Sequence, residues 1–286
     1  MRNSLVVTLF AVLMLFTWIA APAAWADTIQ NKDWPDQTQW EQVQTQAQAN
    51  GQPIAIMISS RETTCPIEVG ACNRWFGDRQ LKRVNRVHVI FGSGEVFNRI
   101  SSSYRKLTDN KVFNVPVLCI ANAQGEVLGF VESKDNSAAT QQIKSLIAIA
   151  AWQQDASKQI EKADQQAADG AFRSALATIK KIQQQDVKAT ASLAQVNGQK
   201  PDTASEQGQF FGDLTAQKRD AYEQLGQQRL QQARDLMNQG DTSEAMRTIS
   251  PMLSSKNELP CCEQAVTLKA EIFEKMRNSE ASRATN

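Results

Sequence analysis

The chain has 286 residues, with 31 Lys or Arg against 30 Asp or Glu, five cysteines and a single histidine. A net charge of +1 gives no field to hold nucleic acid or anionic lipid, and no block of like charges occurs, so nucleic-acid binding is set aside. With His88 alone in an apolar run and no paired cysteine spacing, a metal site or other bound cofactor is not expected.

Residues 1–26 read as a secretory signal peptide: Arg2, an apolar run from Leu5 to Ala21, Pro22, then Ala24-Trp25-Ala26 for cleavage before Asp27. An uncleaved anchor is the alternative, but the run is at the short limit for a bilayer core of about 30 Å. The protein is therefore expected to be exported, periplasmic or extracellular, with no membrane insertion after cleavage. Without Arg2, 30 basic residues balance 30 acidic ones. Residues 27–33 read as a linker.

Asp36 to Asn50 predicts a helix, with Trp40, Val43 and Ala47 on one face and Gly51 closing it. Pro53 to Ser59 is a short apolar run of the kind a strand shows when both its faces are covered. Cys65 to Asn85 is mostly helical, interrupted at Gly70 and Gly77. A β-branched strand follows over 86–91, then a helix over 95–107 with Val96, Ile100, Tyr104 and Leu107 aligned. Residues 115–121 and 126–131, joined by Asn122-Ala-Gln-Gly125, predict a β-hairpin. Ser137 caps a helix carrying Ile143, Leu146, Ile147 and Ala150. The order is αβαβαββα, an α/β arrangement whose helical crossovers should join parallel strands.

Several local stretches resemble those of secreted proteins with the thioredoxin fold. They are Gly51-Gln-Pro53 after a tryptophan-bearing helix, Phe76-Gly-Asp-Arg-Gln-Leu81, Val84-Asn85, Val115-Pro116 and Gln124-Gly-Glu-Val127. The resemblance covers residues 34–152. It implies a cis peptide bond at Val115-Pro116, in a loop lying against the dithiol site.

From Trp152 onward the composition turns to alanine, glutamine and charge with helical periodicity, so residues 153–276 are expected to be all-α. An internal repeat occurs here at an offset of 70: Ala163, Gly170, Ala175, Thr178 and Ile179 recur as Ala233, Gly240, Ala245, Thr248 and Ile249. Each copy predicts two helices turning at the glycine. The Gly-x4-Ala spacing resembles a tetratricopeptide repeat, with an ordinary bundle of similar hairpins as the alternative. Residues 196–209 read as a loop, Cys261 to Met276 as a last amphipathic helix, and residues 277–286 as a flexible tail.

Thioredoxin-like proteins that exchange disulfides carry Cys-x-x-Cys at the first strand-to-helix loop. Here Cys65 and Cys72 are separated by six residues, with Pro66 after the first as expected at a helix start. A straight helix over 66–72 would hold them about 10 Å apart, beyond the roughly 7 Å a disulfide spans. A fold-back at Gly70 would let them bridge, and the glycine favours that loop. The redox members also bury an acid beneath the dithiol, and residues 53–60 contain none. Cys119 reads as a small core residue. Cys261 and Cys262 are adjacent, open to a strained vicinal bond, separate partners or thiols left unpaired. Because five is odd, one cysteine stays out of any internal pairing.

Two functions follow. The first is a protein-binding or scaffold module of the cell envelope with a protein or peptide partner. The second is a thiol–disulfide oxidoreductase using Cys65 and Cys72. The missing Cys-x-x-Cys favours the first; oligomeric state is not readable.

Overall fold

The computed structural model describes residues 34–60, 66–108, 111–112, 114–131, 136–198, 210–255 and 258–284. The expected signal over 1–26, the linker over 27–33, Cys65 and most of the expected loop over 196–209 lie outside the described residues. Among the described residues no helix is long and apolar enough to cross a membrane.

Strands β1 (Ile54–Ser59), β2 (Asn85–Ile90), β3 (Val117–Ala121) and β4 (Val127–Val131) form one mixed sheet in the order β2-β1-β3-β4. β1 and β2 are parallel, β3 is antiparallel to β1, and β4 to β3. The crossover from β1 to β2 thus joins parallel strands as expected. The one into β3 does not, because an apolar run marks a strand without fixing its direction.

Helices α1 (Trp40–Asn50) and α3 (Gly94–Leu107) cover one face of the sheet, α2 (Pro66–Phe76) and α4 (Asn136–Ala168) the other. The alternation of side chains along β1 builds both layers. Ile54, Ile56 and Ile58 share a cluster with Trp40, Val43, Ile100 and Tyr104, while Ala55 and Met57 share one with Trp75, Phe76, Ile143 and Leu146. All six residues of β1 are buried, as its unbroken apolar run requires. The chain before α1 lies along the outer edge of β2, where His88 N–H donates to Pro35 O at 2.7 Å. That contact covers an otherwise open strand edge.

The loop expected at Gly70 is absent, and α2 runs unbroken from Pro66 to Phe76. A helical glycine costs about 1 kcal/mol relative to alanine. Val69, Cys72, Trp75 and Phe76 are all buried from this helix, and each large apolar side chain so buried contributes about 1.5–3 kcal/mol. Packing outweighs propensity.

The boundary expected at residue 152 falls inside a helix. α4 has 33 residues, about 50 Å at 1.5 Å per residue. Its first half packs Ile143, Leu146 and Ala150 on the sheet; its second half packs Ala156, Ile160 and Ala163 into the helical core. α5 (Phe172–Val196) returns toward the sheet, where Leu193 joins the sheet's cluster and Asn197 Nδ2 donates to Leu128 O at 3.2 Å. Gly129 permits that approach, since a Cβ there would lie 2.6 Å from Asn197 Oδ1.

The rest is helical: α6 (Gly212–Asn238), α7 (Thr242–Leu253) and α8 (Pro260–Ala284). α8 continues through the region expected to be a flexible tail, ending at Ala284 rather than near Met276. The two copies of the repeat close in the same way. Gly170 and Gly240 have φ of +83° and +91°, the left-handed conformation that glycine adopts without strain. Ala171 N–H donates to Gln166 O at 2.8 Å and Asp241 N–H to Leu236 O at 2.9 Å, the same helix-ending bond in both copies. Ala163, Ala175 and Ile179 are buried, and so are Ala233, Ala245 and Ile249.

Candidate functional site

The parallel register pairs Met57 with His88. Because Ile58 and Val89 face the α1/α3 layer, their neighbours Ser59 and His88 turn to the other side of the sheet. Both are buried, and Ser59 Oγ lies 2.7 Å from His88 Nε2. Cys72, in the second turn of α2, is buried in the same layer and lies beside Ser59. Ser59 Oγ–H has two acceptors in reach, His88 Nε2 at 2.7 Å and Ser60 O at 3.4 Å. The edge of Phe76 faces the imidazole at 5.8 Å. Ser60 N–H donates to Glu68 Oε1 at 3.0 Å, tying the end of β1 to α2.

The electrostatics keep this cluster neutral. Burial pushes the Cys72 thiol up to about 12; the Glu68 carboxylate adds to the rise, and the Ser59 hydrogen bond opposes it. Burial also holds His88 below its ordinary value, against a smaller pull from the Asp36 carboxylate. Cys72 is therefore a protonated, poorly nucleophilic thiol at neutral pH.

The other cysteines lie elsewhere. Cys65, the intended partner of Cys72, is outside the described residues, and Cys72 is a free thiol. Cys119 is buried on the α1/α3 face of the sheet, opposite to Cys72, and burial raises its thiol. Cys261 and Cys262 are also free thiols, in the first turn of α8 within the helical core, with their Sγ atoms 3.9 Å apart. Cys261 keeps its proton and donates it toward Cys262, whose thiol that bond draws below its ordinary value. Cys261 N–H donates to Glu223 at 3.1 Å. No group of three or more His, Cys, Asp or Glu among the described residues could hold a metal ion.

The Val115–Pro116 peptide bond is cis. The Val115 side chain packs with the α1/α3 cluster, on the opposite side of the sheet from Cys72. The residues that sequence reasoning missed are Ser59 and His88. Each stands as a lone polar group at the end or in the middle of an apolar strand, and only the pairing of β1 with β2 brings them together. Trp34 and Trp75 also bury indole N–H groups in this layer with no acceptor among the described residues. Compared with protein-family models, curated proteins and solved structures, the chain matches none.

Proposed function

We propose that this chain is an exported protein-binding scaffold of the cell envelope. On this reading, a thioredoxin-like platform without Cys-x-x-Cys continues into tetratricopeptide-like hairpins that receive a protein or peptide partner. The observation that carries it is the burial of Cys72, which is 0% exposed on the sheet side of α2 and whose thiol that burial pushes up to about 12. The mixed sheet agrees with the platform, and the matched hairpin turns at Gly170 and Gly240 agree with a helical repeat. An insulin-reduction assay on wild type and Cys65→Ser tests it. Wild type is expected to show no turnover above the uncatalysed rate, and turnover lost in Cys65→Ser overturns the scaffold. Export is tested by N-terminal sequencing, with Asp27 expected first and a membrane-bound form starting at Met1 as the contrary result.

The second reading, a thiol–disulfide oxidoreductase using Cys65 and Cys72, is favoured by the Ser59–His88 pair beneath Cys72. A neutral imidazole there is a proton acceptor in place of the acid that β1 lacks. On that reading His88→Gln lowers the exchange rate while the fold persists.

A further inference from the structure

Helix α5 carries an unbalanced surface. Its exposed charges are Arg173, Lys180, Lys181 and Lys188, while its single carboxylate, Asp186, is buried and accepts from Phe210 N–H and Phe211 N–H. Among the described residues none of the four cations has an ion-pair partner. Lys218 on α6, by contrast, meets Asp164 at 2.6 Å. Between α5 and α6 runs a groove of about 810 Å³. Leu176 and Ile179, 8% and 3% exposed, form its apolar floor, Arg173 and Lys180 stand on the α5 side, and Arg219 and Asp220 on the α6 side with Glu258 beside them. Arg173 and Lys180 are two helical turns apart on one stripe. The stripe continues to Val187, which is 53% exposed. Arg219 donates to Glu258 O at 3.2 Å, which fixes its guanidinium at one end.

We propose that this groove receives an acidic segment of a partner protein, with carboxylates on Arg173 and Lys180 and an apolar side chain between them against Leu176. The proposal rests on the scaffold reading only for the existence of a protein partner. Charge complementarity selects the occupant: unpaired cations in an otherwise balanced chain attract anions and orient them during encounter. The groove has no aromatic side chain on which a base could stack, and Asp220 and Glu258 repel a phosphate backbone. An acidic peptide can place its carboxylates on the α5 side and keep them away from those two.

Fluorescence anisotropy with a fluorescein-labelled peptide of repeated Glu-Leu-Glu units, titrated with the exported form of the full chain, tests this. Saturable binding that weakens with salt is expected, with a Lys-Leu-Lys peptide failing to bind. Arg173→Glu combined with Lys180→Glu should weaken binding by about tenfold or more. Both side chains are exposed, so the melting temperature should hold. If the charge-reversed form does not fold, Arg173→Gln with Lys180→Gln decides, with a smaller loss expected in the same direction. The groove is overturned if wild type leaves the peptide unbound or if the variants bind it as tightly as wild type. It is equally overturned if single-stranded DNA or phosphatidylserine vesicles bind as tightly with the same sensitivity to the variants. A chain that binds no acidic peptide and catalyses no disulfide exchange loses the groove and keeps the scaffold. One that binds the peptide and also turns over insulin keeps the groove and loses the scaffold.

Discussion

Residues 34–131 bury Ile, Val, Met, Trp and Phe on both faces of a sheet, whereas residues 153–284 bury a run of alanines where helices cross. Ala156, Ala163, Ala175, Ala233, Ala245 and Ala265 are each 1% exposed or less. An alanine removes little apolar area from water, so these crossings gain less from the hydrophobic effect than the strands do. What they gain is proximity, and buried or half-buried polar groups then set how the helices meet. Asp186 accepts from Phe210 and Phe211 N–H at 3.0 and 2.7 Å, Asp164 joins Lys218 and Tyr222, and Ser255 accepts from Arg173 N–H at 2.9 Å. The last of these completes one copy of the repeat with the other. Asp241 caps α7 with its own side chain, accepting from Glu244 N–H at 3.0 Å, whereas Ala171 has no oxygen to offer α5 and Ser255 supplies it. Large side chains thus fill the first region on both faces of a sheet, whereas the second interleaves large ones such as Phe172, Leu230 and Ile249 with alanines and fixed polar contacts.

The sharpest way to break that comparison is to add a methyl group to one helical glycine in each region. Gly226 lies against Cys261, whose Cβ would sit 2.9 Å from an added Cβ. Gly226→Ala should cost about 3 kcal/mol through overpacking, a fall of roughly 10 °C in melting temperature. At Gly70 an added Cβ meets nothing within 4 Å, and Gly70→Ala should stabilise by about 0.5–1 kcal/mol through helix propensity. Equal effects at the two positions, read by thermal denaturation, would remove the distinction.

Asp186→Ala comes next. It strands two part-buried N–H groups just before α6 and should cost about 2 kcal/mol, measured as a fall in the urea midpoint at unchanged slope. A neutral result would mean that volume alone orders the helices. Ser255→Ala removes only the cap on α5, about 1 kcal/mol. Its loss should appear first as faster amide exchange at Arg173, while Asp241→Ala shows the same loss at Glu244.

The smallest effect lies in the sheet region and is read against pH. His88 is held below the ordinary histidine value of 6.5, mainly by burial. The unfolded chain therefore binds a proton at this site before the folded chain does. The stability this group confers is fully present above pH 6.5 and lost as pH falls from there toward the depressed folded value. Denaturant midpoints between pH 7 and pH 5 should fall more steeply for wild type than for His88→Gln. Parallel curves would show that the Ser59–His88 pair is not protected from protonation.

Much of the architecture was legible in the residues themselves. The strand runs at 53–59 and 115–131, the helix faces at Trp40–Ala47 and Ile100–Tyr104, and the repeat at an offset of 70 all appear as structure where expected. These signals are local, because periodicity and turn chemistry act over one or two turns of chain. The direction of β3, the unbroken helix through Gly70 and the continuity of α4 past residue 152 were not legible. Each depends on what the segment packs against.

The candidate site divides along the same line. In the sequence, the resemblance to thioredoxin-fold proteins marked Cys65 and Cys72 by their place after the first strand, and Pro116 as the cis proline. Adjacency marked Cys261 and Cys262. Tertiary structure decided that Cys72 points into the protein, because α2 stays helical and turns that position onto the sheet. It decided that Ser59 and His88, 29 residues apart, share a hydrogen bond at 2.7 Å, because parallel pairing of β1 and β2 places their side chains on one face. The charges of α5 were visible as letters. That two of them, Arg173 and Lys180, line a groove is set by the packing of α5 on α6, and that no exposed carboxylate of α5 faces them follows from the burial of Asp186, whose lone pairs hold the incoming chain at Phe210 and Phe211.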